Sequence, residues 1–273
     1  MVAVVLVLLS SKISKMFAST LLSNIPILSE ANNQAYTIDE LLFGEAVQIL
    51  QNAKDFVFVR HLQTQTEGYV KKNQLISISD EYAREFQSGI FLRLASPLSA
   101  LENERTGIQN YISAGSICGI NKESISLGED LFSYTLPSIF LSNSSKKEDL
   151  LRDAALIYLN TPERKGGRTI FGIDSTLFLT QVFSYANTFI GNTLQYMITH
   201  GQVIDFIHEI KCGDVAFFED EHNQIIHAGI CIGENWILHC DGKVKSGRLD
   251  QQGLFDPKEN GYIYTLRLIK RYF

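Results

Sequence analysis

Three side chains in this 273-residue sequence, Ser175, His227 and His239, are of the types and in the local settings that acyl-transfer chemistry uses. Ser175 follows Asp174 where a stretch punctuated by Pro162, Gly166-Gly167 and Gly172 gives way to Phe178, Leu179, Val182 and Phe183. The first part reads as a loop with tight turns, and the second has the spacing of one helical face. Asp or Ser at that boundary can cap the free amides of the helix, and a nucleophile placed there gains from the positive end of its dipole. The same pair also reads as an ordinary cap on a buried helix. His227 lies inside the apolar run 225–230, and His239 ends the next one, residues 236–239. On neighbouring antiparallel strands the two imidazoles can stand side by side, completing a nucleophile, a base and an orienting group. Each histidine taken alone also reads as a satisfied core or rim residue. His61, His200, His208 and His222 have polar or turn-like surroundings and receive no role.

The elements that would hold these residues follow from the periodicity. Up to about residue 79 the pattern is rich in short strands: residues 25–28, 41–50, 56–60 and 67–70, with turn signals between them. Pro26 predicts an edge position for the first of these, because proline removes a ladder donor. Residues 80–87 form a polar, helical connector, and residues 90–134 repeat the strand texture more weakly. After the polar cluster 142–147, Leu151, Ala154, Ala155 and Tyr158 make one stripe of a helix. A second helix is expected over about 175–186, then strands at 215–218, 225–232, 236–240 and 262–269. Helices followed by an antiparallel sheet make an α+β domain. Three units are expected: 1–80, 81–141 and 142–273.

Composition narrows the function classes. The hydrophobic fraction of 45% and charged fraction of 20% are those of a globular protein with a real core. A net charge of −6 leaves no electrostatic footprint for nucleic acid. Cys118, Cys212, Cys231 and Cys240 form no C-x-x-C pair, which argues against a zinc ribbon or redox motif, and neither a metal nor a cofactor is expected. Residues 2–9 are an unbroken apolar run, too short to span a bilayer. They fit a secretory apolar segment or a buried strand; no Lys or Arg precedes them, which favours the strand. No other segment reads as membrane-spanning.

Residues 159–249 resemble the catalytic domain of NlpC-type, papain-like cysteine peptidases of the bacterial cell wall. The resemblance rests on Tyr158-Leu159-Asn160-Thr161-Pro162, Gly166-Gly167, Phe171-Gly172-Ile173-Asp174, Phe178, Gly213-Asp214-Val215-Ala216-Phe217-Phe218, His227-Ala228-Gly229-Ile230 and Trp236-Ile237-Leu238-His239, in the family's order and spacing. Residues 25–75 resemble bacterial SH3-like cell-wall modules, with Leu41-Leu42-Phe43-Gly44-Glu45 the most specific part; residues 81–141 would be a second, degenerate copy. The resemblance implies an α+β papain-like domain preceded by one or two small SH3-like β-barrels, and an extracytoplasmic location. It implies cleavage after γ-D-glutamate in peptidoglycan stem peptides, commonly before a diamino acid. In that scheme residue 175 is the nucleophile, His227 takes its proton, His239 orients His227, and Asp174 binds a substrate amine.

The sequence departs from that family where it matters most. The nucleophile position holds Ser175 in place of Cys, and Thr176-Leu177 replace Ser-Gly. Glu163 and Lys165 replace an aromatic pair, so Asp174, Thr176, Glu163 and Lys165 are the expected substrate-side residues. A thiol with pKa about 8.5 is readily made a thiolate; a hydroxyl needs simultaneous proton removal. Several coincident losses imply a natural pseudoenzyme that still binds stem peptides or muropeptides. The alternatives are a working serine variant and a scaffold for another protein.

Overall fold

The computed structural model describes residues 16–120, 123–141 and 146–273, so the apolar run at 2–9 lies outside the described residues. The first sheet uses β1 (Met16–Ser19), β2 (Asn24–Leu28), β3 (Thr37–Leu42), β4 (Ala46–Ala53), β5 (Phe56–His61), β6 (Glu67–Lys71) and β7 (Ile76–Ile78), in the order β3-β2-β6-β5-β4-β1-β7. Every pairing is antiparallel, and alternate residues such as Ile25, Ile27, Val57 and Val59 line a small core. The edge position expected from Pro26 is not what forms: β2 lies between β3 and β6, with Pro26 opposite Glu40 of β3, although its pairing with β6 is confined to Leu28. Gly44, at φ +77°, makes the turn from β3 into β4.

Helix α1 (Asp80–Ser88) is capped by the Ser79 hydroxyl on the Tyr82 amide and ends at Gly89 in the left-handed region. It leads to β8 (Leu92–Arg93), β9 (Leu98–Asn103), β10 (Gln109–Ser113), β11 (Ile117–Cys118), β12 (Ser124–Leu127) and β13 (Asp130–Tyr134). These form a four-stranded sheet, β10-β9-β13-β12, and a β11-β8 ribbon. Their core is shared with the first sheet: Phe43 and Ala46 pack with Tyr82, Phe86, Leu101, Ile125 and Phe132.

The remainder comprises α2 (Lys147–Ile157), the short pair β14 (Arg168–Thr169) and β15 (Gly172–Ile173), α3 (Ser175–Ser184) and α4 (Leu194–Thr199). Then come β16 (Gln202–Ile204), β17 (Val215–Glu219), β18 (Ile225–Gly233), β19 (Trp236–Asp241), β20 (Lys243–Leu249), β21 (Gly253–Asp256) and β22 (Gly261–Arg271). Their order is β16-β22-β17-β18-β19-β20-β21, and β21 also pairs with β22. The sheet expected from the sequence therefore closes into a six-stranded barrel. Closure gives it two apolar faces. Val215, Phe217, Ala228, Ile230 and Leu238 meet Leu151, Phe178 and Val182 of the helices, while Ala216, Phe218, Cys231, Ile237 and Leu254 fill the barrel itself. No helix among the described residues is long and apolar enough to cross a membrane.

Candidate active site

Asp174 sits at the N-cap of α3, and Ser175 is its first helical residue. The Asp174 carboxylate accepts the amides of Thr176 (2.9 Å) and Leu177 (3.3 Å) with Oδ1, and the amide of Gly166 (3.1 Å) with Oδ2. One side chain therefore both starts the helix and closes the loop before it. Ser175 is half-buried, and among the described residues its hydroxyl makes no hydrogen bond. Thr176 is half-buried behind it, its carbonyl accepting from the Thr180 hydroxyl at 3.5 Å.

His227 and His239 stand on adjacent strands, β18 and β19, whose register pairs Gly229 with His239. Nε2 of His227 lies 2.9 Å from Nδ1 of His239. The His227 ring stacks on Tyr264 of β22, with centroids 4.3 Å apart and planes within 16°. Two directions of contact thus fix that imidazole, and its Nδ1 has no hydrogen-bond partner among the described residues. Both histidines alternate with the residues that face the helices, so they belong to the inner face of the barrel. Burial pushes His227 down to about 4. Burial, then the neighbouring His227 and Lys245, push His239 down to about 3, so both rings are neutral near pH 7.

Lys245 on β20 is the register partner of His239, and its ammonium bonds Asp241 at 2.9 Å and lies 3.9 Å from Asp256. That hydrogen bond holds the Asp241 carboxyl below its usual range. Tyr264, Lys245 and Asp241 were not among the sequence-expected site residues. Tyr264 lies on β22, one strand removed from β18 across β17, so its place beside His227 depends on the curl of the sheet, and Lys245 lies on β20, whose sequence, Lys-Val-Lys-Ser-Gly-Arg-Leu, is too polar to read as buried.

The loop that ends in Ser175 is stitched to the β19–β20 turn. Glu163 gives its amide to the Gly242 carbonyl (2.9 Å) and takes the Gly242 amide on its carboxylate (2.8 Å). Asn160 and Thr161 exchange main-chain bonds with Val244, and the Cys240 thiol contacts the Ile173 carbonyl at 3.7 Å. Lys165 points the other way, its ammonium 6.0 Å from the centre of the Tyr36 ring just before β3. The structure thus joins His227 to His239, Asp174 to the α3 amides, and Glu163 to the turn after His239. It places no hydrogen bond between Ser175 and either imidazole.

The four cysteines are free, and none stands at the α3 N-terminus. Burial pushes Cys118 and Cys240 up to about 12 and Cys212 to about 11, and raises Cys231 as well. Such thiols are poor nucleophiles at neutral pH.

Residues 161–258 match the NlpC/P60 family. The chain is 23% identical over 252 residues to a protein named dipeptidyl-peptidase 6 from Lysinibacillus sphaericus, covering 83% of this chain and 89% of that one. An NlpC/P60 family protein from Bacillus cereus ATCC 10987 superposes with a TM-score of 0.73 at 16% identity, over 94% of this chain and 99% of that one. An NlpC/P60 endopeptidase from Photobacterium damselae subsp. piscicida gives 0.64 at 11% identity, over 92% and 70%. At these identities the two structures establish a common fold.

Proposed function

Because residues 161–258 are an NlpC/P60 family domain, we propose that the chain belongs to this peptidoglycan-hydrolase family, keeps a groove for stem peptides, and has lost most or all hydrolysis. The observation that carries this reading is Ser175 at the first position of α3, with every thiol of the chain elsewhere. A helix N-terminus and a neutral imidazole suffice to ionise a thiol but leave a hydroxyl protonated. In this reading Asp174, Thr176, Glu163 and Lys165 border the groove, the ligand is a γ-D-glutamyl stem peptide or muropeptide, and the place of action is outside the cytoplasm. The two β units ahead of the domain are read as SH3-like modules that help hold the wall.

One observation favours a second reading, a serine variant with residual activity. When Nε2 of His227 donates to Nδ1 of His239, the Nδ1 lone pair of His227 is left open to accept a proton. The experiment that separates the two incubates the chain with L-Ala-γ-D-Glu-diamino-acid tripeptides and tetrapeptides, following binding by calorimetry and cleavage by chromatography. Binding without cleavage is expected, unchanged in Ser175→Ala. Turnover on the order of 1 per second, abolished by Ser175→Ala, would defeat the first reading in favour of the second. Absence of any binding would defeat both.

A further inference from the structure

At the far end of α3 from Ser175, about 15 Å along the helix, a cleft of about 590 Å³ opens between the β5–β6 turn, the end of α1 and the segment joining α3 to α4. Its volume falls within the range of small-molecule sites, about 300–1,000 Å³. Leu62 and three aromatic rings, Phe86, Phe189 and Tyr196, form its apolar part. Phe189 and Tyr196 are 5.4 Å apart and substantially exposed, at 41% and 39%, which is unusual for rings with no partner to cover them. Tyr196 is held flat from behind by His200, stacked at 3.9 Å and 11°.

The polar part consists of four primary carboxamides, Gln63, Gln65, Gln87 and Asn187, and the Thr188 hydroxyl. Among the described residues no charged side chain lines the cleft. Gln63 spends its carbonyl on Arg93, leaving its NH₂ group to donate. Gln65 spends its NH₂ group on the Leu62 carbonyl, leaving its own carbonyl to accept. The carboxamides of Gln87 and Asn187 have no partner among the described residues. Gln65 and Asn187 also hold left-handed backbone, φ +60° and +47°; the former is uncommon for glutamine and carries strain.

This lining selects a ligand class. A charged ligand would shed its water against no counter-charge, and a purely apolar one would strand four carboxamides. The lining calls for an uncharged molecule with an apolar face and many hydroxyl or amide groups around its rim. A pyranose ring has that form: its C–H face stacks on an aromatic ring while its hydroxyls meet carboxamides, each of which can donate and accept. We propose that this cleft is an oligosaccharide-binding site, separate from the groove at Ser175, with Tyr196 as the stacking platform and Gln63, Gln65, Gln87 and Asn187 as the hydrogen-bonding rim.

The test titrates the full chain with tri-N-acetylchitotriose and, in parallel, with cellotriose, by isothermal calorimetry up to about 10 mM, where affinities near the millimolar range are still read. At least one trisaccharide should bind, with Tyr196→Ala and Gln87→Ala each weakening it about tenfold or more and Ser175→Ala leaving it unchanged. Both substituted side chains are exposed, so the variants should keep the wild-type circular dichroism. Tighter binding of the chitin trimer assigns an acetamido group to the carboxamide rim; equal binding assigns neutral hexoses generally. No binding of either sugar, or binding that survives both substitutions, overturns the proposal. Stem-peptide binding is read separately at Ser175, so either site can fail without the other.

Discussion

An oxygen at residue 175 and a neutral imidazole at residue 227 exchange protons far less readily than a thiol and an imidazole would, and two measurements follow. Ser175→Cys places a thiol at the first position of α3, where the free amides and dipole favour the thiolate. The four native thiols are raised by burial, Cys118 and Cys240 to about 12. The variant should therefore react with iodoacetamide at pH 7 at least about tenfold faster than any native cysteine, with mass spectrometry locating the adduct. Labelling no faster than wild type would mean that the α3 N-terminus does not activate a nucleophile. The imidazoles give the second measurement. His227 is held at about 4 and His239 at about 3, against about 6.5 in an unfolded chain. The unfolded chain takes up protons first, so the stability these neutral rings carry is full above pH 6.5 and is lost as pH falls toward 4 and 3. By linkage, the loss between about pH 6.5 and about pH 4.5 is about 2 kcal/mol per imidazole. Thermal unfolding should show that slope, and His227→Gln should flatten it; equal slopes in both proteins would mean that the rings titrate normally in the fold.

At the scale of elements, α3 depends on one carboxylate. Asp174→Ala strands the amides of Thr176, Leu177 and Gly166, and should cost about 1–2 kcal/mol, read as a lower urea midpoint at constant slope. Asp174→Asn keeps an acceptor and should cost less; equal losses would mean that charge at the dipole, not the cap, is what counts. The start of α3 was legible in the sequence because capping is a local rule, and the same holds for α2 and the strands around His227 and His239. Closure of the barrel was not. β21 has four residues, and β20 has only Val244 and Leu249 as apolar anchors, so their pairing is set by the partners across the sheet. One of the site's neighbours, Lys245 of β20, was hidden with them. The helix at 80–87 was expected as a connector and is α1, whose Tyr82 reaches back to the Gly44 carbonyl at 2.6 Å, a contact across 38 residues that no local pattern announces.

Across the whole molecule the least legible residue is Arg168. It follows two glycines in a loop, where no local pattern calls for burial, yet it is fully buried. Its guanidinium bonds Glu45 with two nitrogens, at 2.8 and 2.9 Å, reaches the Glu40 carbonyl at 2.8 Å, and holds Gln181 of α3 at 2.6 Å. Arg93 of β8 approaches the same Glu45 at 3.1 Å, and His61, with Nδ1 accepting two backbone amides, turns its Nε2 proton to Glu45 at 3.0 Å. Burial alone would raise the Glu45 carboxyl, but Arg168, His61 and Arg93 together hold it well below the usual range. Its stabilising charge is therefore present above the carboxylate range and lost as pH falls through the lowered value. Arg168→Met would leave Glu45 buried beside fewer positive partners, at a cost of about 3–5 kcal/mol, whereas Glu45→Gln with Arg168→Met should cost less than the two changes summed. Trp236 is the single tryptophan and lies on β19, so its fluorescence follows the six-stranded barrel, while far-UV circular dichroism follows all strands and helices. In wild type the two denaturant curves should coincide, because the ion network ties the sheets into one cooperative body. In Arg168→Met the fluorescence curve should separate from the dichroism curve. Coincident curves at an unshifted midpoint would show that the shared apolar core, with Phe43 and Phe132 packed edge to face at 5.4 Å, holds the sheets together without the charges.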